Sequence, residues 1–277
     1  MDKPVNLSPS LNTYQGLFLP ATAGHLYLGC YGELSGRRVW LYLPPFAEEM
    51  NLSRAIVSRQ ARAFVERGDA VVCLDYFGTG DSEGEFEQAS VSRWLQDVSD
   101  CVAWLRTQGV ASVNLWGLRL GGLLALRFIA DNPEVAIRQL LLWKPVLDGK
   151  LLMGQFFRLK QVSESMKGGA KVNWIERVRQ GETVEVAGYP MSPALLGSIE
   201  PIKLAALSFQ SFPQTHWVEV GSDNISPAIA KVMPLWEDAK LNVQPCAGSN
   251  FWQNPDCYQA PELLQQTLAM THGVVDV

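Results

Sequence analysis

A chain of 277 residues, 47% hydrophobic and 18% charged, has enough apolar mass for one large α/β domain or two small ones. Its net charge of −5 and pI near 5.3 leave no basic face for nucleic acid or an anionic membrane. No run approaches the roughly 18 apolar residues needed to span a bilayer. The five cysteines (Cys30, Cys73, Cys101, Cys246, Cys257) are odd in number and scattered, with no metal-ligand spacing. With no apolar leader core at the N-terminus, these features predict a reduced, cytoplasmic protein without metal or disulfide.

Residues 1–12 read as loose. Leu17–Leu19 and Leu26–Leu28 form a predicted antiparallel pair, and Val39–Leu43 is a continuous apolar strand stopped at Pro44-Pro45. Asn51-Leu52-Ser53 opens a helix whose apolar face carries Ile56, Val57, Ala61, Phe64 and Val65, ending at Arg67-Gly68. Ala70–Leu74 is a second buried strand, running into a turn-rich loop, Asp75–Ser82. Trp94, Val98, Cys101, Val102 and Leu105 mark an amphipathic helix over 90–107. A strand over 111–116, a helix over 119–131 and a strand at Leu140–Trp143 follow.

The rhythm breaks after Pro145. Residues 148–211 show no clear strand and predict short helices inserted over one end of the sheet. The alternation resumes with a strand at Trp217–Val220, a helix over 227–239, a poor edge strand at Val243–Cys246 and a last helix at Pro261–Met270. Alternating strands and helices with short connections imply a mostly parallel, doubly wound sheet. The predicted layout is a core of residues 1–147 and 212–277 with a helical cap at 148–211.

The most informative stretch is Gly117-Leu118-Arg119-Leu120-Gly121, between an apolar strand and an apolar helix. Strand, glycine-bracketed turn and helix outline the nucleophile elbow of an α/β-hydrolase, whose pattern is G-x-S-x-G. The serine position holds Arg119. In the chain order of that fold an acid follows the next-to-last strand, and Asp223 stands there. A histidine belongs after the last strand, in Ala247–Trp252, and none is present. Of the three histidines, His25 falls in the N-terminal hairpin and His216 at the start of its strand. His272 lies after a helix that runs roughly 15–20 Å away from the active end. No intact triad is therefore readable, and a serine without a base would not be activated.

A partly buried arginine at a helix start needs an anion, because the helix dipole and the low dielectric both disfavour it. The sequence offers Asp223, Glu48 and Glu49 as internal partners, the last two in a loop that should border the elbow. The alternative is a bound carboxylate or phosphate gripped by Arg119 and backbone N–H groups. The predicted pocket comprises Arg119 with its neighbours Leu118 and Leu120, Phe46, Glu48, Glu49, Asp223 and Trp252. The adjacent Glu48 and Glu49 do not normally converge on one substrate as acid and base. Gly78-Thr79-Gly80 is too short and misplaced for a dinucleotide fingerprint, and no cofactor is called for.

Taken together, these segments resemble the α/β-hydrolase superfamily, and more narrowly the exosortase A system-associated hydrolase 2 family. The matching stretches are Leu43–Asn51, the Tyr76–Ser82 loop with Gly84, Leu115–Gly121, and Leu141–Val146 running to Gly149-Lys150 and Gln155-Phe156. They span most of residues 39–160. The resemblance implies that an arginine at the elbow is the family's own pattern. It also implies a setting in the exopolysaccharide and exosortase systems of Gram-negative bacteria. The expected function is a catalytically silent hydrolase homologue that binds an anionic small molecule, or an acyl or glycan precursor. The alternative is a hydrolase or acyltransferase using Asp223 and a water held by Arg119. A third reading is a scaffold whose cap docks a partner protein of that system.

Overall fold

The computed structural model describes residues 14–168, 172–236, 240–257 and 259–272. The predicted loose segment 1–12 and the end of the predicted 227–239 helix lie outside them. The chain opens with β1 (Tyr14–Ala21), β2 (Gly24–Tyr31) and β3 (Val39–Leu43), then α1 (Glu48–Glu66), β4 (Ala70–Leu74) and α2 (Val91–Thr107). β5 (Val113–Leu118), α3 (Leu120–Asp131) and β6 (Ile137–Trp143) follow. After the segment between β6 and β9, the chain closes with β9 (Gln214–Val220), α7 (Pro227–Val232), β10 (Leu241–Cys246) and α8 (Pro261–Met270).

Eight strands form one sheet in the order β1-β2-β4-β3-β5-β6-β9-β10. β2 runs antiparallel to β1 and β4, and the pairs from β4 through to β10 are parallel. β3, β4 and β5 are apolar nearly throughout because helices cover both faces. Alternate side chains feed two cores. Leu41, Leu115, Leu142 and Trp217 pack with α2 and α3 on one face. Trp40, Trp116, Trp143 and Val218 pack with α1, α8 and the Phe251–Gln253 turn on the other. Six of the nine tryptophans are among the largest fully buried side chains, so tryptophan abundance here is mainly core packing.

Two local expectations change. α1 begins at Glu48, not Asn51, on Ala47, which has φ 53° and offers no capping side chain. The helix start therefore lacks the Ser, Thr, Asp or Asn signature that sequence reading depends on. Its first-turn acids, Glu48 and Glu49, complement the helix dipole instead. Between β6 and β9 lie α4 (Gly149–Met166), α5 (Trp174–Arg179) and α6 (Pro193–Ile199), as well as a hairpin of β7 (Val184–Val186) and β8 (Tyr189–Met191). The expectation of no strand here fails because three-residue strands are too short to show alternation. Ala187 and Gly188, with φ 51° and 86°, make the tight turn between them. α4 is also a full 18 residues, not a short helix. Among the described residues no helix is long and apolar enough to cross a membrane.

Candidate functional site

The β5–α3 connection has the elbow geometry in full. Arg119 takes φ 53° and ψ −116°, a conformation costly for any residue with a side chain. A Cβ on Gly117 would lie 2.5 Å from the Cα of Gly122, and one on Gly121 would lie 2.0 Å from the Leu43 carbonyl oxygen. Only glycine closes the turn on itself and on the end of β3. The Arg119 N–H donates to the Trp143 carbonyl (3.0 Å), and the Val146 N–H donates to the Arg119 carbonyl (3.1 Å). The elbow is thus clamped by the end of β6 and the residues after it.

The Arg119 side chain is 13% exposed and turns to Glu49, with both Nε and Nη2 at 3.4 Å from Oε1. Its guanidinium carbon also lies 5.3 Å from the centre of the Trp252 ring, a cation–π contact. Burial pushes the Glu49 carboxyl up from the ordinary value, and Arg119 only partly offsets this. The second oxygen of Glu49 is buried with no hydrogen-bond partner among the described residues.

Of the predicted pocket, then, the fold brings together Arg119, Glu49 and Trp252. Leu118 and Leu120 are core residues. Phe46 is buried among Phe86, Trp94 and Phe156. Glu48 points away from the elbow and accepts from the Tyr189 hydroxyl (2.9 Å) and the Asn51 amide (3.0 Å). Asp223 is exposed in the β9–α7 loop, and Arg119 pairs with Glu49 rather than with it. His25 pairs with Glu83 (3.0 Å). His216 is buried within β9, in register with Leu141 and Asn242, and both ring nitrogens lack partners among the described residues. In the loop after β10, where a triad histidine would stand, the Asn250 amide oxygen lies against Gly221.

Sequence reading missed a second ion pair beside the elbow. Lys144, at φ 44° just after β6, pairs with Glu219 on β9, which also accepts from Trp217 Nε1 (3.3 Å). A carboxylate within the apolar Trp217–Val220 end of β9 was the available signal. Arg119, Lys144 and Glu219 border a cavity of about 280 Å³ whose apolar wall includes Val146, Leu152 and Ile229. The site therefore carries two cations, each held by a buried or nearly buried carboxylate. It offers charge recognition beside an apolar surface, with no hydroxyl or thiol at the attacking position.

The family model for serine aminopeptidase, S33, matches residues 50–184, slightly under half of the chain and including the elbow. No match was found among curated protein sequences. Among solved structures, Est1E from Butyrivibrio proteoclasticus with ferulic acid bound is similar at TM-score 0.65 and 15% identity, covering 92% of this chain and 96% of that one. A putative hydrolase from Agrobacterium vitis gives TM-score 0.64 at 15% identity, over 93% and 99%. The mouse α/β hydrolase domain-containing protein 10 gives 0.57 at 18%, over 84% and 90%. Strand order, elbow and structural likeness agree: the chain has the α/β-hydrolase fold.

Proposed function

We propose that this protein is a catalytically silent hydrolase homologue that binds an anionic small molecule at the elbow. The observation that carries this is Arg119 in the strained elbow position, its side chain between Glu49, Trp252 and the cavity. An incoming carboxylate or phosphate takes the place of Glu49 as partner of the guanidinium. Glu49, already biased by burial toward its neutral form, takes up a proton, so binding strengthens as pH falls. The resemblance of residues 39–160 to the exosortase A system-associated hydrolase 2 family supports an acyl or glycan precursor of exopolysaccharide pathways as the ligand. It equally supports a partner protein of that system, reached from the cap at 148–211.

The test uses thermal unfolding with inorganic phosphate and with octanoate. At least one should raise the wild-type Tm, and Arg119→Ala should abolish the rise. An equal rise in Arg119→Ala removes Arg119 from the site. The second reading, an esterase, thioesterase or acyltransferase, is favoured by Glu49, a carboxyl held toward its protonated form beside the elbow. Turnover of a panel of activated esters, thioesters and lactones that disappears in Asp223→Asn, Glu48→Gln or Glu49→Gln would establish that reading instead.

A further inference from the structure

α4 carries a face that no part of the described fold covers. Of the eight large apolar side chains exposed among the described residues, four lie on this helix: Leu151, Leu159, Val162 and Met166, at 67%, 55%, 52% and 84%. With Gln155 they recur every three or four residues, so they form one stripe along the helix. The buried residues Leu152, Met153, Phe156 and Phe157 take the other side, and all fall in the first half. From Arg158 to Met166 no residue is buried. The second half of α4 therefore stands off the core and holds Leu159, Val162 and Met166 out to water.

Cations edge the stripe. Arg158 is one helical turn from both Gln155 and Val162, Lys150 precedes Leu151, and Lys167 caps the helix after Met166. Lys160 lies over the ring of Trp174, its Nζ 4.7 Å from the ring centre. Glu164 is the one acid on the helix and sits 3.7 Å from Lys167. Lys150 and Arg158 form no ion pair among the described residues. The net charge of −5 averages over the whole chain and hides this local basic edge.

We propose that α4 docks this protein on an anionic lipid bilayer, with its axis in the plane of the interface. A helix with aliphatic side chains on one face and Lys or Arg beside them sinks the first into the acyl boundary, while the long cationic stems reach back to lipid phosphates. Charge selects this occupant over a second copy of the chain. A two-fold contact through the stripe would set Arg158 and its flanking lysines against their own counterparts. Protein interfaces are anchored mostly by aromatic and arginine side chains, whereas the apolar members of the stripe are only Leu, Val and Met. The acidic remainder of the surface is repelled by anionic lipid, so α4 also fixes the orientation. The proposal rests on α4 alone and stands whether or not the elbow binds an anion.

Vesicle flotation of the full chain would compare phosphatidylcholine vesicles with vesicles in which about a third of the lipid is phosphatidylglycerol. The protein should float with the anionic vesicles and not with the neutral ones. Leu159→Ser combined with Met166→Ser should weaken binding by about 10-fold or more, through the loss of two inserted side chains. Arg158→Glu should weaken it by about 10-fold, by removing one attraction and adding one repulsion. All three positions are exposed, so these variants should keep the wild-type Tm. Arg62→Glu makes the same change of charge at an exposed position of α1, which packs in the other core, and should stay within about 2-fold because salt screens a distant charge. Sedimentation equilibrium should give the same mass for wild type and the Leu159→Ser, Met166→Ser protein. The proposal is overturned by no flotation with anionic vesicles, by equal flotation with neutral ones, by wild-type binding in either α4 variant, by an equal loss in Arg62→Glu, or by a dimer that the Leu159→Ser, Met166→Ser protein no longer forms.

Discussion

Arg119 and Glu49 hold each other across the end of β3, 3.4 Å apart, with side chains only 13% and 17% exposed. One occupies the turn that in a serine hydrolase presents the nucleophile. The other is in the first turn of α1. The pair joins the two segments that border the elbow, so its first consequence is structural.

Removing one member strands the other's charge. Arg119→Met or Glu49→Leu alone should destabilise the fold by about 1–3 kcal/mol, while the double variant should recover much of that loss. Urea unfolding of the four proteins measures the coupling. Additive losses would mean that the long contact carries no energy.

Restoring the serine should not restore chemistry. Arg119→Ser places a hydroxyl on an elbow whose backbone already has the required φ, but with no imidazole to take its proton. A fluorophosphonate probe should label neither wild type nor Arg119→Ser. Labelling of either would reveal a base that the described residues do not disclose.

Asp97 should give the stability profile an unusual slope. Its carboxyl is pushed up to about 7, chiefly by burial, although Oδ2 accepts from the Phe77 N–H at 2.8 Å. The folded state then binds the proton more tightly than the unfolded one, whose value is near 3.8. Stability from this group is greatest below that value and falls as pH rises to about 7, by roughly 2–4 kcal/mol. Asp97→Asn should remove that component. Urea midpoints for both proteins at pH 4.5 and 7 would show it, and parallel profiles would disprove it.

His216 acts with the opposite sign. Burial holds it neutral and lowers its pKa to about 4. The unfolded chain protonates near 6.5 and the folded one does not, so stability is lost as pH falls from 6.5 toward 4, by roughly 2–3 kcal/mol. His216→Phe should flatten this limb in the same titration. An acid limb unchanged by the substitution would assign it to other groups.

The strands β3 to β6 and the elbow were legible because burial on both faces writes continuous apolar runs, and because Gly117 and Gly121 bracket a turn. The site was legible only in part. Glu48 and Glu49 were equal candidates as partners of Arg119, because successive residues on a helix diverge by about 100° and only one can face the elbow. Which one does depends on where α1 begins, and Ala47 gives no capping signal. Lys144 and Glu219 are far apart in the chain and meet only because β6 and β9 are neighbours.

Three residues with side chains, Ala47, Arg119 and Lys144, adopt positive φ at the turns that follow β3, β5 and β6. Each holds roughly 1–3 kcal/mol of backbone tension. Glycine at any of them would relax the turn, so this rim of the molecule is kept wound at the expense of thermal resilience. Such turns persist only where the packing around them over-determines their shape, so the neighbouring strand ends rather than the local sequence set these three conformations.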